Sequence, residues 1–317
     1  MILAGDIGGT NVRLALFDRS LRERLTVVFP TREQDSLGSA VATFLAGAGA
    51  EVESACFAVA GPVVNGAVRG PNLPWPVYGH ELAEAFGIPA VTVVNDLEAN
   101  ARGVESLGRE SLLTINRGTA QAHGTRAVVS AGTGLGEAAL VWNGRCWHAL
   151  ASEGGHADFA PRTDIEASLQ RWLAAEFGHV SYERILSGGG LVNVYRFLGG
   201  DFGRDAAAIT AEAGVDERSL AAHALELFAS VYGAHAGNVA LSYTATGGVY
   251  LGGGIAPRIA RTLANGAFMR AFADKGRLSG LVEAMPVHVI LDDRTALNGA
   301  ARIASDHAPA TALRRAA

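Results

Sequence analysis

The order of apolar and polar residues predicts an opening hairpin followed by alternating helices and strands. Apolar runs at 1–5 and 12–17 flank a glycine turn, and 25–29 is a further strand-like run. Apolar residues at helical spacing predict a helix over 36–46. A short run of β-branched residues at 91–94 is typical of a buried parallel strand. The other elements predicted here are a strand at 55–59, a hairpin turn at Asn65-Gly66 and a helix at 80–86.

The same arrangement begins again in the second half of the chain. A strand at 127–130 enters a glycine turn at 131–136, and 137–142 is the returning strand. Two units of strand, glycine turn and strand, each followed by helices and strands, indicate an internal duplication. The elements predicted beyond them are helices at 164–177, 182–186 and 219–241, strands at 248–251 and 287–291, a glycine loop at 252–254 and a closing helix at 298–304.

Length and composition indicate a folded protein of two lobes. The chain has 317 residues, which exceeds one ordinary domain of roughly 100–200. Apolar residues make up 49% and charged residues 18%, which excludes disorder and coiled coil. The formal charge is −5, and no Lys/Arg block interrupts the chain. Nucleic acid is therefore not an expected partner, because phosphate-backbone binding needs a basic surface.

Neither secretion nor membrane insertion is predicted. The apolar start is too short for a signal peptide. The long uncharged stretch at 237–257 is rich in glycine and polar residues, which favours a helix end, a turn and a strand over a membrane span. Cys56 and Cys146 lie in apolar strand-like segments, so both are expected to be buried free thiols of a reduced, cytoplasmic protein.

The first glycine turn, within D-I-G-G-T-N at 6–11, is a candidate phosphate site. Gly8 and Gly9 would let backbone N–H groups approach a phosphate closely, and the Thr10 hydroxyl would add a donor. Asp6 is a candidate Mg²⁺ ligand acting through a water. The alternative is an ordinary hairpin turn, in which glycine is favoured for its positive φ.

The second glycine turn, Gly132-Thr133-Gly134, repeats this chemistry. Two such turns could clamp a polyphosphate from both sides. If both were ordinary hairpin turns, the same glycine and threonine pattern would have to occur twice by coincidence. The pair therefore favours phosphate binding more than either turn does alone. Neither the P-loop pattern nor the dinucleotide fingerprint occurs in the sequence.

Asn95-Asp96 directly follows the buried strand at 91–94 and precedes a helical stretch. Asn and Asp are favoured helix caps, which gives one interpretation of the pair. In the other interpretation, Asp96 accepts a proton from a substrate hydroxyl while the Asn95 amide orients the same substrate.

Two more side chains are candidate ligands for a polar substrate. Glu153 and His156 lie on either side of two glycines, where a ligand could rest against the backbone. The alternative for His156 is a solvated loop histidine. For Glu183 the local sequence favours an acidic residue in the first turn of a helix, behind a Ser181 cap. No cysteine cluster with zinc-site spacing accompanies these residues in the sequence.

Taken together, these strings resemble the bacterial ATP-dependent glucokinases of the sugar-kinase, actin and heat-shock-chaperone ATPase superfamily. They follow one another in the family's order from about residue 3 to residue 301. The matching strings are G-D-I-G-G-T-N, V-V-N-D, A-G-T-G-L-G, E-G-G-H-x-D-F-A-P, E-R-x-L-S-G-x-G-L, G-G-V-x-L-x-G-G-I and F-x-D-K-G-R.

The resemblance implies an α/β fold of two ribonuclease-H-like, actin-like ATPase lobes with a cleft between them. The smaller lobe would comprise residues 1–106 and 297–317, and the larger lobe residues 107–296. The implied activity is phosphorylation of D-glucose at its 6-hydroxyl by MgATP, giving glucose 6-phosphate and ADP, the first step of glycolysis. Similar proteins are often homodimers, so a homodimer is a candidate assembly.

The resemblance also implies a role for each candidate residue. Asp96 would be the base for the 6-hydroxyl, and Gly252–Gly254 would form a nucleotide loop at a helix N-terminus, where the dipole suits anions. The implied sugar ligands are Asn72, Asn95, Asp96, Glu153, His156 and Glu183. The implied ATP and Mg²⁺ site comprises Gly5, Asp6, Ile7, Gly8, Gly9, Thr10, Gly132, Thr133, Gly134, Gly252, Gly253 and Gly254.

Two other functions stay open on the sequence. The same polar groups can satisfy several epimers, so a kinase for mannose, fructose or N-acetylglucosamine is one alternative. The other is a non-enzymatic sugar-sensing regulator on the same fold. A regulator predicts an added DNA-binding segment or a lost base, whereas this chain has Asp96.

Overall fold

The computed structural model describes residues 1–70 and 73–309, and within them the chain forms two compact units. The first unit comprises the described residues of 1–107, 147–151 and 294–309, and the second comprises 108–146 and 152–293. Mixed sheets and helices confirm the predicted α/β class. The predicted lobe boundaries and the cleft stay predictions. Asn72 lies outside the described residues.

The elements are numbered in chain order. The strands are β1 (Ile2–Ile7), β2 (Asn11–Phe17), β3 (Glu23–Pro30), β4 (Ser54–Val59), β5 (Val63–Val64), β6 (Ala67–Val68), β7 (Val77–Tyr78), β8 (Val91–Asn95), β9 (Leu112–Asn116), β10 (Arg126–Ala131), β11 (Leu135–Trp142), β12 (Trp147–Ser152), β13 (Gly248–Gly252) and β14 (Val287–Ile290). The α-helices are α1 (Leu37–Ala48), α2 (Gly79–Phe86), α3 (Asp96–Gly103), α4 (Asp164–Phe177), α5 (Gly188–Phe197), α6 (Ala206–Val215), α7 (Leu220–Tyr243), α8 (Ala260–Ala264), α9 (Ala267–Ala273), α10 (Ser279–Glu283) and α11 (Thr295–Asp306). Single 3₁₀ turns lie at Thr31–Glu33, Val104–Ser106, Arg109–Ser111, Gly154–His156, Tyr182–Arg184 and Gly276–Leu278.

The first unit is built on a five-stranded sheet of order β3-β2-β1-β4-β8. β1 is antiparallel to β2 and parallel to β4, and β4 is parallel to β8. Alternate residues of β1 enter two cores, since Leu3 belongs to one apolar cluster and Ile2 to another. A strand covered on both faces has no polar side, which explains its continuous apolar run.

The strands of the second unit, β9, β10, β11, β13 and β14, belong to a sheet of order β12-β11-β10-β13-β14-β9. β10 is antiparallel to β11 and parallel to β13, and β13 is parallel to β14. The first five strands thus repeat the order of the first sheet, with β10 in the place of β1. The repeated order confirms the predicted internal duplication. β9 is an addition that pairs antiparallel with β14 at the edge.

Two glycines bring helix α3 unusually close to α11. A Cβ on Gly299 would overlap the carbonyl oxygen of Ala99, and a Cβ on Gly103 would overlap that of Thr295. The helices can approach this closely only because neither glycine has a side chain. The close packing fixes α3 in the first unit, and with it Asp96, the first residue of the helix.

Two local predictions are wrong. The segment predicted as a helix at 182–186 is only a 3₁₀ turn, because Ser187 caps a new helix directly after it. Cys146 is exposed, whereas Cys56 is buried as predicted. The Asn143 side-chain oxygen accepts hydrogen bonds from the N–H groups of Arg145 and Cys146, both at 2.9 Å. These bonds extend the turn through Cys146 and keep it out of the strand.

The helices formed by residues 1–70 and 73–309 include none that is both long enough and apolar enough to cross a membrane.

Candidate active site

The chain passes from β8 to α3 at Asn95 and Asp96, and the side chains of both residues bind the first turn of the helix. Asn95 is the N-cap of α3, and its Oδ1 accepts from the Leu97 N–H at 2.9 Å. The Asn95 Nδ2 donates to the Gly61 carbonyl at 3.0 Å. The Asp96 Oδ1 also accepts from the Leu97 N–H, at 3.0 Å. The capping interpretation is therefore confirmed for Asn95, and the helix N-terminus favours a negative charge on Asp96.

The first glycine turn is hydrogen-bonded to Thr31, which is fully buried. The Thr31 hydroxyl donates to the Gly8 carbonyl at 2.7 Å, and its N–H donates to the Thr10 carbonyl at 2.9 Å. Gly8 does not have a left-handed backbone, and a Cβ there would meet nothing nearer than the Asn11 carbonyl oxygen at 3.7 Å. Neither backbone conformation nor packing therefore requires glycine at position 8, which favours the phosphate interpretation over the hairpin one.

Two neighbouring candidates face the protein interior instead. A Cβ on Gly5 would lie 2.6 Å from the Phe57 ring, so packing within the sheet explains this glycine. The Ile7 side chain is fully buried in the core of the first unit. These two residues can therefore contact a nucleotide only through their backbone atoms.

The first glycine turn and Asp96 share one edge of the first sheet. Ile7 is in register with Val59 on β4, and Val59 is in register with Asn95 on β8. The three parallel strands therefore end side by side, and two strand spacings separate the turn from Asp96 by roughly 10 Å. This distance suits a phosphate-binding turn and a proton acceptor that serve one reaction.

In the second unit, the structure brings together the two predicted nucleotide segments. The carboxyl ends of β10 and β13 are neighbours, with Ser130 in register with Gly252. Gly253 has a left-handed backbone with φ of +79°, and a Cβ there would overlap the Ala131 carbonyl. A Cβ on Gly132 would have only the Gly254 nitrogen near it, at 3.9 Å. The fold thus requires glycine at 253, whereas Gly132 and Gly254 have open space.

A third glycine segment contacts the second glycine turn, and the sequence analysis did not predict this contact. The Gly188 N–H at the start of α5 donates to the Gly132 carbonyl at 2.8 Å. A Cβ on Gly188 or Gly189 would meet no atom closer than 3.7 Å. The available signal was the S-G-G-G string at 187–190, whose glycines are unusual in a helix that Ser187 caps.

Glu183 connects the second glycine turn to the candidate sugar ligands. Its Oε2 accepts from the Leu135 N–H at 2.9 Å, and a Cβ on Gly134 would lie 2.6 Å from the same oxygen. The Ser181 side chain makes no capping bond, and the helical segment is only three residues long. The Glu183 carboxylate is held by a backbone N–H from a distant strand, which an interaction with the helix dipole alone does not explain.

Glu153, His156 and Glu183 converge on one surface of the second unit. The His156 Nδ1 lies 3.9 Å from the Glu183 Oε1, and its Nε2 lies 3.9 Å from the Glu153 Oε2. His156 and Glu153 are about 60% exposed, and Glu183 is 30% exposed. Two carboxylates and an imidazole that share one accessible surface can bind several hydroxyl groups of one small molecule.

Below this surface, Tyr182 is buried between Phe159 and His235. Burial raises the pKa of Tyr182, so its phenol stays protonated near neutral pH. Its hydroxyl accepts a hydrogen bond from the Asn238 Nδ2 at 3.1 Å. Tyr182 is therefore a neutral packing residue next to the charged Glu183. Within residues 1–70 and 73–309, no group of three or more His, Cys, Asp or Glu side chains is placed to hold a metal ion.

Comparison with solved structures defines the class of protein. A glucokinase from an Antarctic psychrotroph superposes with a TM-score of 0.87 at 34% identity, covering 96% of this chain and 98% of that chain. A ROK family glucokinase from Streptomyces griseus, in complex with glucose and AMPPNP, gives 0.67 at 21% identity over 96% and 99% of the two chains. The fold is that of sugar kinases with the actin-like ATPase architecture, as the resemblance implied.

Sequence comparison then identifies the family. A sequence profile described as Glucokinase matches residues 3–307. A glucokinase from Nostoc sp. strain PCC 7120 is 36% identical over 96% of this chain and 99% of its own length. The chain therefore belongs to the glucokinase family and is a hexose kinase.

Proposed function

We propose that this protein transfers the γ-phosphoryl group of ATP to the 6-hydroxyl of D-glucose, giving glucose 6-phosphate and ADP. Membership of the glucokinase family supports this function. The structural observation that carries it is the Glu183 carboxylate, which accepts from the Leu135 N–H directly after the second glycine turn and faces His156. One side chain thus links a candidate phosphate site to a candidate sugar site.

In this proposal the sugar is held by its hydroxyl groups. Glu153 and Glu183 accept hydrogen bonds from hydroxyls, and His156 between them donates or accepts according to its tautomer. Asn95 fixes the start of α3 with one donor and one acceptor of its amide, and its second N–H and second oxygen lone pair stay available for a sugar hydroxyl. Asn72 stays a predicted ligand.

Asp96 is the proposed proton acceptor for the 6-hydroxyl. Phosphoryl transfer leaves little covalent chemistry to the protein, so positioning and charge stabilisation lower most of the barrier. As the hydroxyl oxygen forms its bond to phosphorus, its proton passes to the Asp96 carboxylate and the bond to the ADP oxygen breaks. The bond from Leu97 N–H to Asp96 Oδ1 orients this carboxylate.

The glycine segments are the proposed phosphate ligands. The backbone around Gly8, Gly9, Gly132, Gly252 and Gly254 would approach the phosphate oxygens, and Thr10 and Thr133 would add hydroxyl donors. Open space around Gly8, Gly132 and Gly254 supports this role, since the fold leaves these positions without a packing reason to be glycine.

We expect activity to require magnesium and not zinc. Asp6 lies on β1 just before the first glycine turn, and a carboxylate oxygen beside phosphates is the kind of ligand that Mg²⁺ takes. Bound with ATP, Mg²⁺ would neutralise charge on the phosphates. The chain has two cysteines, one of which is buried. A zinc-selective chelator with magnesium in excess should leave the rate unchanged; loss of activity under these conditions would contradict the prediction.

Glu183→Gln is expected to weaken glucose binding by roughly 5- to 150-fold, because an unpaired buried polar group costs about 1–3 kcal/mol once the sugar covers it. Gln has the same shape but loses the charge that holds a sugar hydroxyl. ATP affinity and melting temperature should change little. Titration calorimetry with glucose and a thermal melt measure the two effects. Unchanged glucose affinity with a lowered melting temperature would show that Glu183 only stabilises the fold.

A coupled assay of ATP consumption over glucose, mannose, fructose and N-acetylglucosamine tests the proposed function. We expect glucose to give the highest kcat/KM. A higher value for another hexose would make this a kinase for that sugar, and no ATP consumption with any of them would favour a sugar-sensing regulator. Cytoplasmic location and a homodimer stay predictions.

A further inference from the structure

A buried pair of polar residues, one carboxylate and one imidazole, lies in the core of the second unit. The Nε2 of His235 on α7 is 2.5 Å from the Oε1 of Glu137 on β11. Their side chains are only 4% and 5% exposed. The two residues are 98 positions apart in the chain, and neither belongs to the groups proposed to touch sugar or ATP.

The pair contacts both segments that carry the proposed sugar ligands. The Glu137 Oε2 lies against Gly154, where an added Cβ would overlap it, and Gly154 follows Glu153 directly. The His235 ring packs on the Tyr182 ring with centroids 3.9 Å apart and a 33° tilt, and Tyr182 precedes Glu183. Through these contacts, one buried unit supports the loop of Glu153 and the turn of Glu183 from below.

Stability alone does not favour such a pair in this place. The desolvation of a buried carboxylate and its polar partner often outweighs their attraction, and apolar residues of similar volume are commonly as stable or more so. In the described part of the chain, the His235 Nδ1 is buried without a hydrogen-bond partner. A buried polar atom left unsatisfied lowers stability, and such atoms tend to occur at functional sites.

The surrounding contacts give the pair a defined geometry. Asn238, one turn after His235 on α7, donates to the Tyr182 hydroxyl at 3.1 Å. The Ser152 hydroxyl accepts from the Gly154 N–H at 3.0 Å on the Glu137 side. The His235 ring is therefore oriented by the Glu137 carboxylate at one nitrogen and by the Tyr182 ring on its face. Apolar side chains in the same place would not fix the orientation of their neighbours in this way.

We propose that Glu137 and His235 are positioning residues for the sugar site, and that they set the separation of the Glu153 loop and the Glu183 turn. The inference rests on the proposed function, because it assumes that these two segments bind one sugar. The pair acts through Gly154 and Tyr182 and makes no contact with substrate itself.

The test replaces both members with apolar residues of similar volume, Glu137→Val together with His235→Leu. The double variant avoids leaving one buried charge without its partner, so it should melt near the wild-type temperature. We expect KM for glucose to rise about tenfold or more, since small displacements of binding groups have large effects. KM for ATP should stay within about twofold, because the contacts of the pair are with Gly154 and Tyr182, in the two segments that carry the proposed sugar ligands.

Val239→Ala is the matched control. Val239 lies one turn after His235 on the same helix and is buried, so its truncation leaves a cavity and lowers the melting temperature. It should leave KM for glucose unchanged. This control separates a general loss of stability from a loss of positioning.

Wild-type values of KM for both substrates in the double variant would overturn the positioning role, and so would equal increases in both. If the double variant is less stable than expected, glucose titration below its melting temperature still measures the affinity. The proposed function itself would be contradicted by a different result, namely that the wild-type protein does not phosphorylate glucose. A wild type that does not bind glucose at all would overturn both.

Discussion

Asp96→Asn is expected to lower kcat by roughly 10²- to 10⁴-fold, the usual contribution of a general base, while glucose affinity stays nearly unchanged. The amide keeps the shape of the side chain, and its oxygen can still accept from the Leu97 N–H that now bonds to the Asp96 Oδ1. The start of α3 is therefore preserved, and only proton acceptance is lost. Steady-state kinetics with a glucose titration measure the two effects.

Asp164→Asn is the matched control for this variant. Asp164 is the first residue of α4, as Asp96 is of α3, and it is exposed. Removing its charge weakens a favourable interaction with the helix dipole and should have no effect on kcat. A kcat for Asp96→Asn within a factor of a few of the wild-type value would make Asp96 only a helix-terminal residue.

Gly132→Val is expected to raise KM for ATP far more than KM for glucose. Gly132 has no left-handed backbone, and the nearest atom to an added Cβ is 3.9 Å away, so the fold itself accepts a side chain here. A branched side chain would occupy the space through which phosphate approaches the backbone. Losing one hydrogen bond to a charged group costs about 1.5–3 kcal/mol, which corresponds to roughly 10- to 150-fold in KM for ATP.

Gly47→Val provides the control for glycine replacement. Gly47 lies near the end of α1, where an added Cβ meets nothing within 4 Å. It should alter neither KM, although valine is a weak helix former. Equal effects of Gly132→Val on both substrates, or its unfolding in a thermal melt, would remove the support for a phosphate-specific role.

Much of the fold could be predicted because its local signals agree. Helix α4 was predicted over 164–177 and spans Asp164–Phe177, where Thr163 caps its start and Gly178 follows its end. Helix α5 was missed because it opens with three glycines, which are poor helix formers. One of them is required by a close local contact, since a Cβ on Gly190 would overlap the backbone of Ile185.

The site could be predicted residue by residue but not as a set of contacts. Local patterns singled out Glu153 and His156, and the resemblance added Glu183, yet the bond from Leu135 N–H to Glu183 joins residues 48 positions apart. The Glu137–His235 pair is further apart still. Such contacts depend on how β11 packs against α7 and the 182–184 turn, and no pattern of neighbouring residues records that packing.

The central claim is the transfer of phosphate from ATP to the 6-hydroxyl of glucose, and the position of the new phosphate tests it most directly. Wild-type protein is incubated with MgATP and ¹³C-labelled glucose, and the product is followed by ¹³C and ³¹P NMR. We predict one phosphorus signal coupled to carbon 6, formed in equal amount with ADP, and its absence with 6-deoxyglucose. Phosphorylation at another carbon, or ADP formed without any sugar phosphate, would contradict the account.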